Sequence, residues 1–308
     1  MKKNRLFWFL FVLAGFGSAV ADEQLHYLAS YRGLLSAFQN VRIADVRLTI
    51  QDVQPAGRRV ARLTVSSQPF GFVESLYPFR LCGKSLYEQR PDDGLRTLLY
   101  GLENQSPKEL SEQLLWLDWS SGLLRRYELE SKVVDSTLKR AAEGLLADMP
   151  ALHARLRRGV APRLPFRGKL KLPAQAVLDR LSLFLRMRDL DWVARQQYRF
   201  DVAVDDEILH YRLVYRGREK TRVLGKEYAS RRVEMTELDD KGQPGHIVTF
   251  WFSDDARRLP IKGHSAHAAG DFLLQLLDHD EKAVVDGRCA SDGFSLMLRD
   301  AEAAEDWF

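Results

Sequence analysis

The sequence predicts a mainly β protein: an antiparallel, strongly curved sheet or open barrel with one or two helices packed against it. Three observations lead there. Short runs of alternating apolar and polar residues recur from Tyr198 to about Leu277, separated by polar or glycine-containing breaks at spacings near those of sandwiches and barrels. Further alternating runs early in the chain are joined by turn residues. Pro173–Leu190 carries the clearest helical spacing.

The first 21 residues are expected to lie outside the fold. Lys2, Lys3 and Arg5 precede a short apolar run from Leu6 to Phe16, and Ala19-Val20-Ala21 is a small-x-small cleavage site. That is the layout of a secretory signal peptide cleaved after Ala21. The run is too short to span a bilayer comfortably, and no later segment has about 18 consecutive apolar residues. An exported, periplasmic protein with no transmembrane segment after cleavage is the expectation. Removal of the leader leaves 43 basic against 42 acidic residues. A net charge near zero gives no support for a nucleic-acid partner, and none is expected. Residues 22–280 are expected to form a single mainly-β domain, with 281–308 as a tail.

"VRIADVRLTIQDV" alternates in its second half, "QPAG" is a turn, and "RRVARLTVSS" alternates again, so a hairpin is expected over 41–67. Pro69, Pro78 and Pro91 punctuate the next stretch and limit it to a helical turn and a strand. "EQLLWLDWSSGLLRRYELESK" reads as strand, turn at Ser120-Ser121-Gly122, and strand. Good helix formers with Leu138, Ala142, Leu145 and Leu146 at helical spacing predict a helix within 136–159. Residues 151–173 contain no acid, and about 135–172 is expected to be a helical, basic connector. Pro173 suits a helix start, and Val177, Leu178, Leu181, Phe184 and Leu185 share a helical face, so a helix is expected over 173–189. "QQYRFDVAV", "EILHYRLVYRG", "EKTRVLGKEY", "SRRVEMTEL" and "HIVTFWFS" then read as successive strands. "GDFLLQLLDHD" reads as a closing strand, although its leucines also suit a helix.

"VLGKEYASRRVEM", "VTFWFSDDARRLPIKG" and a final apolar strand resemble the bacterial exported family known as domain of unknown function 3108. Gly225, Val233, Trp251, Asp254, Asp255, Arg258, Leu259 and Pro260 carry the likeness, and "FVESLYPFRLCGKSLYE" resembles its front half. The resemblance implies export and a β-rich domain. It implies no activity, so it brings no catalytic residues.

The residues themselves offer few handles on chemistry. No GxSxG, GxGxxG, P-loop or HExxH occurs, so no catalytic residue and no cofactor is expected. In "FSDDARRLP", Ser253, Asp254 and Asp255 suit a tight turn and Pro260 a strand start, so the segment reads as a structural hairpin. His264 and His267 sit on a predicted strand, where odd spacing puts them on opposite faces, against a shared metal. Aromatic residues are plentiful. Trp251, Phe250, Tyr211, Tyr215 and Trp116 are candidate ligand-binding residues if the concave face is left unfilled, and a packed core is the alternative. A lipid or another envelope component is the expected partner. An envelope protein-interaction or glycan-binding module without a cavity is the alternative. Arg155, Arg157 and Arg158 are candidate contacts to anionic lipid or glycan, with a solvated connector as the plainer explanation. Cys82 and Cys289 are a candidate disulfide in an exported chain, with two buried thiols as the alternative.

Overall fold

The computed structural model describes residues 23–90, 94–106, 109–131, 148–192, 196–239, 241–267 and 270–280. The expected leader, residues 132–147 and the tail from 281 on lie outside the described residues. Among the described residues fifteen strands form one sheet. The first arm is β1 (Glu23–Gly33), β2 (Val41–Val53), β3 (Arg58–Ser66), β4 (Arg80–Arg90), β5 (Gly94–Ser106), β6 (Glu109–Asp118), β7 (Leu123–Ser131) and β8 (Phe166–Lys171). The second is β9 (Val177–Leu178), β10 (Gln197–Val204), β11 (Glu207–Val223), β12 (Lys226–Leu238), β13 (Pro244–Ser253), β14 (Pro260–His267) and β15 (Gly270–Asp280). β1–β8 and β10–β15 are meanders, and β1 pairs antiparallel with β15 to join them. The only parallel pair among the described residues is β9 with β10. The sheet curves but is not closed, since β8 and β9 are its two edges. The mainly β, curved and open architecture expected from the alternation is therefore present.

Among the described residues three α-helices accompany the sheet: α1 (Gly71–Leu76), α2 (Met149–Arg157) and α3 (Arg180–Asp189). α3 lies inside the curve. Its Leu181, Leu183, Leu185 and Met187, followed by Leu190 and Trp192, join one core with Leu25 and Tyr27 of β1, Val46 and Leu48 of β2, and Val233, Phe252 and Ile261 of β12–β14. A helix whose apolar residues point to several sides must be surrounded by apolar partners, and here the sheet surrounds it. α2 lies on the outer face, where Met149, Leu152 and Leu156 pack on Leu86, Leu99, Leu114, Trp116 and Tyr127. The two arms also meet. Leu115, Leu117 and Leu124 pack against Val177 and Ala203, and Gln113 donates to Asp205 at 2.6 Å.

Several elements differ from the sequence reading. α3 starts at Arg180 rather than Pro173, because 177–178 is extended as β9 and Asp179 supplies a stronger start signal. Its carboxylate accepts from the N–H groups of Leu181 (2.8 Å) and Ser182 (3.0 Å), which satisfies donors a helix start leaves open. The stretch treated as a connector is part of the fold: α2 buries an apolar side and β8 extends the sheet. Leu138, Ala142, Leu145 and Leu146 lie outside the described residues. "GDFLLQLLDHD" is strand β15, as the first of its two readings had it. Alternation does not mark β1 or β5, because both bury side chains on both faces.

Candidate functional site

The sheet has two rims. At the lower rim lie the β2–β3, β4–β5, β6–β7, β11–β12 and β13–β14 turns. At the upper rim lie the β1–β2, β3–β4, β12–β13 and β14–β15 connections.

The five aromatic candidates do not gather into one site. Phe250 faces inward, with its ring 5.4 Å from that of Phe184 on α3. Tyr215 stacks on Trp192 at 6.0 Å. Tyr211 is buried, and its hydroxyl donates to Glu237 at 2.8 Å. Trp251 takes the face opposite Phe250. Lys262 lies 4.7 Å from its ring, and its indole N–H donates to Glu219. Trp116 is on the outer face under α2, with Arg125 5.1 Å from its ring. The inward members of the set thus pack on the helix that fills the curve.

The "FSDDARRLP" segment is a fastening. Asp255 accepts from the N–H groups of Arg257 (3.0 Å) and Arg258 (3.1 Å), an aspartate-closed turn. Asp254 binds Arg231 at 2.6 Å and Arg218 at 3.0 Å. Arg258 donates to the carbonyls of Arg188 (3.0 Å) and Leu190 (2.7 Å), meeting the open acceptors at the end of α3. Beside it, Arg188 makes a two-pronged pair with Glu23 of β1, both bonds at 2.8 Å. Burial works against the charge on Glu23, but Arg188 outweighs it, with His279 assisting, and the carboxyl is held below its ordinary range. A cavity of about 350 Å³ opens here between Arg59, Arg188, Arg258 and Tyr87. The arginines around it already have partners: Arg59 has Asp52, Arg188 has Glu23, and Arg258 has carbonyls. Gly225, matched to the family pattern, follows Leu224 in the two-residue β11–β12 turn. Both have positive φ (47° and 86°), as such hairpins require.

Arg155 and Arg157 occupy the last turn of α2, and Arg158 caps it. All three are exposed, as are Arg163, Arg167, Lys169 and Lys171 further along. This face lies toward the lower rim, because His153 of α2 feels the charges of Arg58, Glu88 and Asp118 at strand ends there. Burial first, then Arg58 and Arg157, push the His153 imidazole down to about 4. On β8 the cations also blunt an open sheet edge. His264 and His267 both lie on β14; His264 is 3.6 Å from Asp271, while His267 stacks on His246 at 3.9 Å. Among the described residues no three potential ligands cluster to hold a metal.

The reading of motifs missed a group of buried charges on the outer face. Glu112 of β6 is fully buried, and neither carboxyl oxygen has a hydrogen-bond partner among the described residues. Burial, with Glu103 opposite, pushes its carboxyl up to about 8. Lys84 of β4 is 3% exposed, and burial together with Arg62 pushes it down to about 8. A signal for Glu112 was present: it takes an apolar phase between Leu110 and Leu114. Cys82 lies on this face, pairing across the ladder with Thr64 and Glu103. No cysteine among the described residues is a free thiol. Cys289 lies outside the described residues. A second cavity, of about 360 Å³, opens beside Cys82, Arg80 and Gln105.

Residues 163–276 match the model of a family described as protein of unknown function (DUF3108), the family that the Trp251–Pro260 pattern resembles. No curated protein matches the chain. Among solved structures, a beta-barrel-like protein of domain of unknown function DUF1849 from Brucella abortus matches with a TM-score of 0.47 at 9% identity. The match covers 86% of this chain and 99% of that one. No described helix is long and apolar enough to cross a membrane.

Proposed function

We propose that this is an exported, non-catalytic protein of the cell envelope that works by binding at its exterior, with its basic lower end against an anionic envelope component. The observation that carries this reading is the filled interior. Leu181, Leu183, Leu185, Met187 and Trp192 stand where an enclosed acyl chain would lie, and interiors of this kind are close-packed. The exterior supplies the binding chemistry instead. Arg155, Arg157 and Arg158 project from the end of α2, and no acid separates them from Arg163, Arg167, Lys169 and Lys171. Guanidinium groups suit the planar oxyanions of lipid headgroups and acidic glycans.

The test replaces Arg155, Arg157 and Arg158 together with alanine. Binding is measured to vesicles containing phosphatidylglycerol and, separately, to alginate. The expected result is at least a tenfold loss on one of the two, steepest at low salt. Unchanged binding to both would remove the reading. A carrier reading keeps one support, the cavity of about 350 Å³ at the lower rim. Native mass spectrometry of protein purified from the periplasm separates the two, since a co-purifying lipid favours the carrier and a clean apo mass favours exterior binding.

A further inference from the structure

We propose that the upper rim is a bilayer-docking edge, at which the β1–β2 and β3–β4 loops insert large apolar side chains into the headgroup boundary of an anionic membrane. This uses the end of the sheet opposite the basic face and stands independently of it.

The side chains are Leu34 and Phe38 in the first loop and Phe72, Leu76 and Tyr77 in the second, which are 74%, 67%, 70%, 67% and 54% exposed. Single exposed hydrophobes are ordinary, but five on neighbouring loops form a patch that calls for an occupant. The loops are neighbours because β2 and β3 pair up to Asp45 and Ser66, close to where both loops leave the sheet.

The first loop is built to hold its tip outward. Ala37 and Phe38 both have left-handed backbones, with φ of 49° and 61°. That conformation is costly for a bulky residue. It is kept by the Phe38 N–H donating to the Gly33 carbonyl at 2.8 Å and the Ser36 hydroxyl donating to the Gln39 carbonyl at 2.7 Å. Phe38 is thus held largely in solvent at a conformational cost.

Charge identifies the occupant. No acid occurs from Gln24 to Ala44, and Arg32 and Arg42, both exposed, flank the first loop. The second loop has one acid, Glu74, and it is 5% exposed. Arg80 donates to it at 2.5 and 3.0 Å, and the Ser67 hydroxyl at 2.5 Å. The two loops themselves therefore present apolar tips and no exposed carboxylate, with exposed cations flanking the first and Asp271 facing Arg32 across the ladder. Projecting tips without a groove suit a fluid surface better than a shaped protein, and the sign suits anionic lipid.

The processed chain is floated with vesicles of phosphatidylethanolamine and phosphatidylglycerol, and with phosphatidylcholine alone. Wild type is expected to float with the first and bind the second more weakly. Phe38→Ser combined with Phe72→Ser should weaken flotation roughly tenfold or more, with an unchanged thermal midpoint because both residues are exposed. Phe72→Trp should gain fluorescence that brominated lipid quenches. Equal flotation of the serine variant and wild type overturns the proposal, as does no flotation of wild type. Self-association that the serine variant abolishes also overturns it, since the patch would then join two copies. Binding that depends on Arg155, Arg157 and Arg158 but not on Phe38 and Phe72 supports the basic-end reading and overturns this one.

Discussion

Replacing Glu112 by glutamine is expected to stabilise the protein at pH 8 and to change little near pH 4.5. The carboxyl has an ordinary value of 4.5 and is pushed up to about 8 in the fold, by burial first and by Glu103 second. The folded state therefore holds a proton that the unfolded state releases. The contribution of Glu112 to stability is greatest below 4.5, falls as pH rises toward 8, and is level above it, since the folded state binds more protons at this group across that window. The slope is about 1.4 kcal/mol per pH unit, so the cost is about 3 kcal/mol at pH 7 and nearer 5 above pH 8, as upper figures. Glutamine keeps the shape of the protonated acid and does not titrate. Lys84 does not confuse the comparison. Its ammonium is pushed down from 10.5 to about 8, by burial and then Arg62. Its contribution therefore rises between 8 and 10.5, and wild-type stability should pass through a minimum near pH 8. Urea unfolding of both proteins across pH 4.5 to 8 is the assay. Parallel profiles would show that Glu112 is hydrated or paired in solution, and the reasoning from burial would fail.

Two further outcomes follow from the architecture. Asp179→Ala should cost about 2–4 kcal/mol, because it removes the α3 cap and leaves the Ser85 and Thr97 hydroxyls, now at 2.6 and 2.7 Å from the carboxylate, without their acceptor; urea unfolding checks it, and a loss under 1 kcal/mol would contradict it. Cys82 is proposed to pair with Cys289, and non-reducing peptide mapping should recover the two peptides linked; recovery of Cys82 as a free thiol would refute the pairing.

The parts legible in the sequence were those with one strong local signal. The strands between β10 and β14 alternate because one face meets the core and the other meets water, as Val233 and Arg232 do. β5 carries no such contrast, because α2 packs on one face and the core around α3 on the other, and β1 carries none because it buries side chains on both faces. β8 resembles a solvated connector because an edge strand exposes one side and here bears Arg167, Lys169 and Lys171. The start of α3 was misplaced for a different reason. Helical spacing continues back through Val177, but Asp179 satisfies the first N–H groups and lets the preceding residues pair with β10. The fate of the aromatic candidates was not legible. Alternation places Trp251 opposite Phe250, but only the position of α3 decides whether the inward face lines a cavity or packs on a helix.

The position of α3 also explains the Ser253–Pro260 turn, whose residue types suit a structural hairpin. Its acids and arginines are engaged structurally: Asp255 closes the turn, Asp254 holds Arg231 and Arg218, and Arg258 meets the last carbonyls of α3. At the other end of the same helix, Asp179 receives hydroxyls from β4 and β5. The plug is thus held at both ends by strands from opposite arms of the sheet. Emptying the interior would break a buried carboxylate network and a guanidinium cap, and would expose Leu181, Leu183, Leu185 and Met187 together. Each such side chain is worth about 1.5–3 kcal/mol of burial, so their exposure alone approaches the whole stability of an ordinary domain. A ligand would have to exceed that cost to displace the helix, whereas the two rims are already exposed. Function sought at the rims is therefore the economical hypothesis, and the matched region, which contains both α3 and the turn that caps it, encodes the scaffold that holds those rims apart.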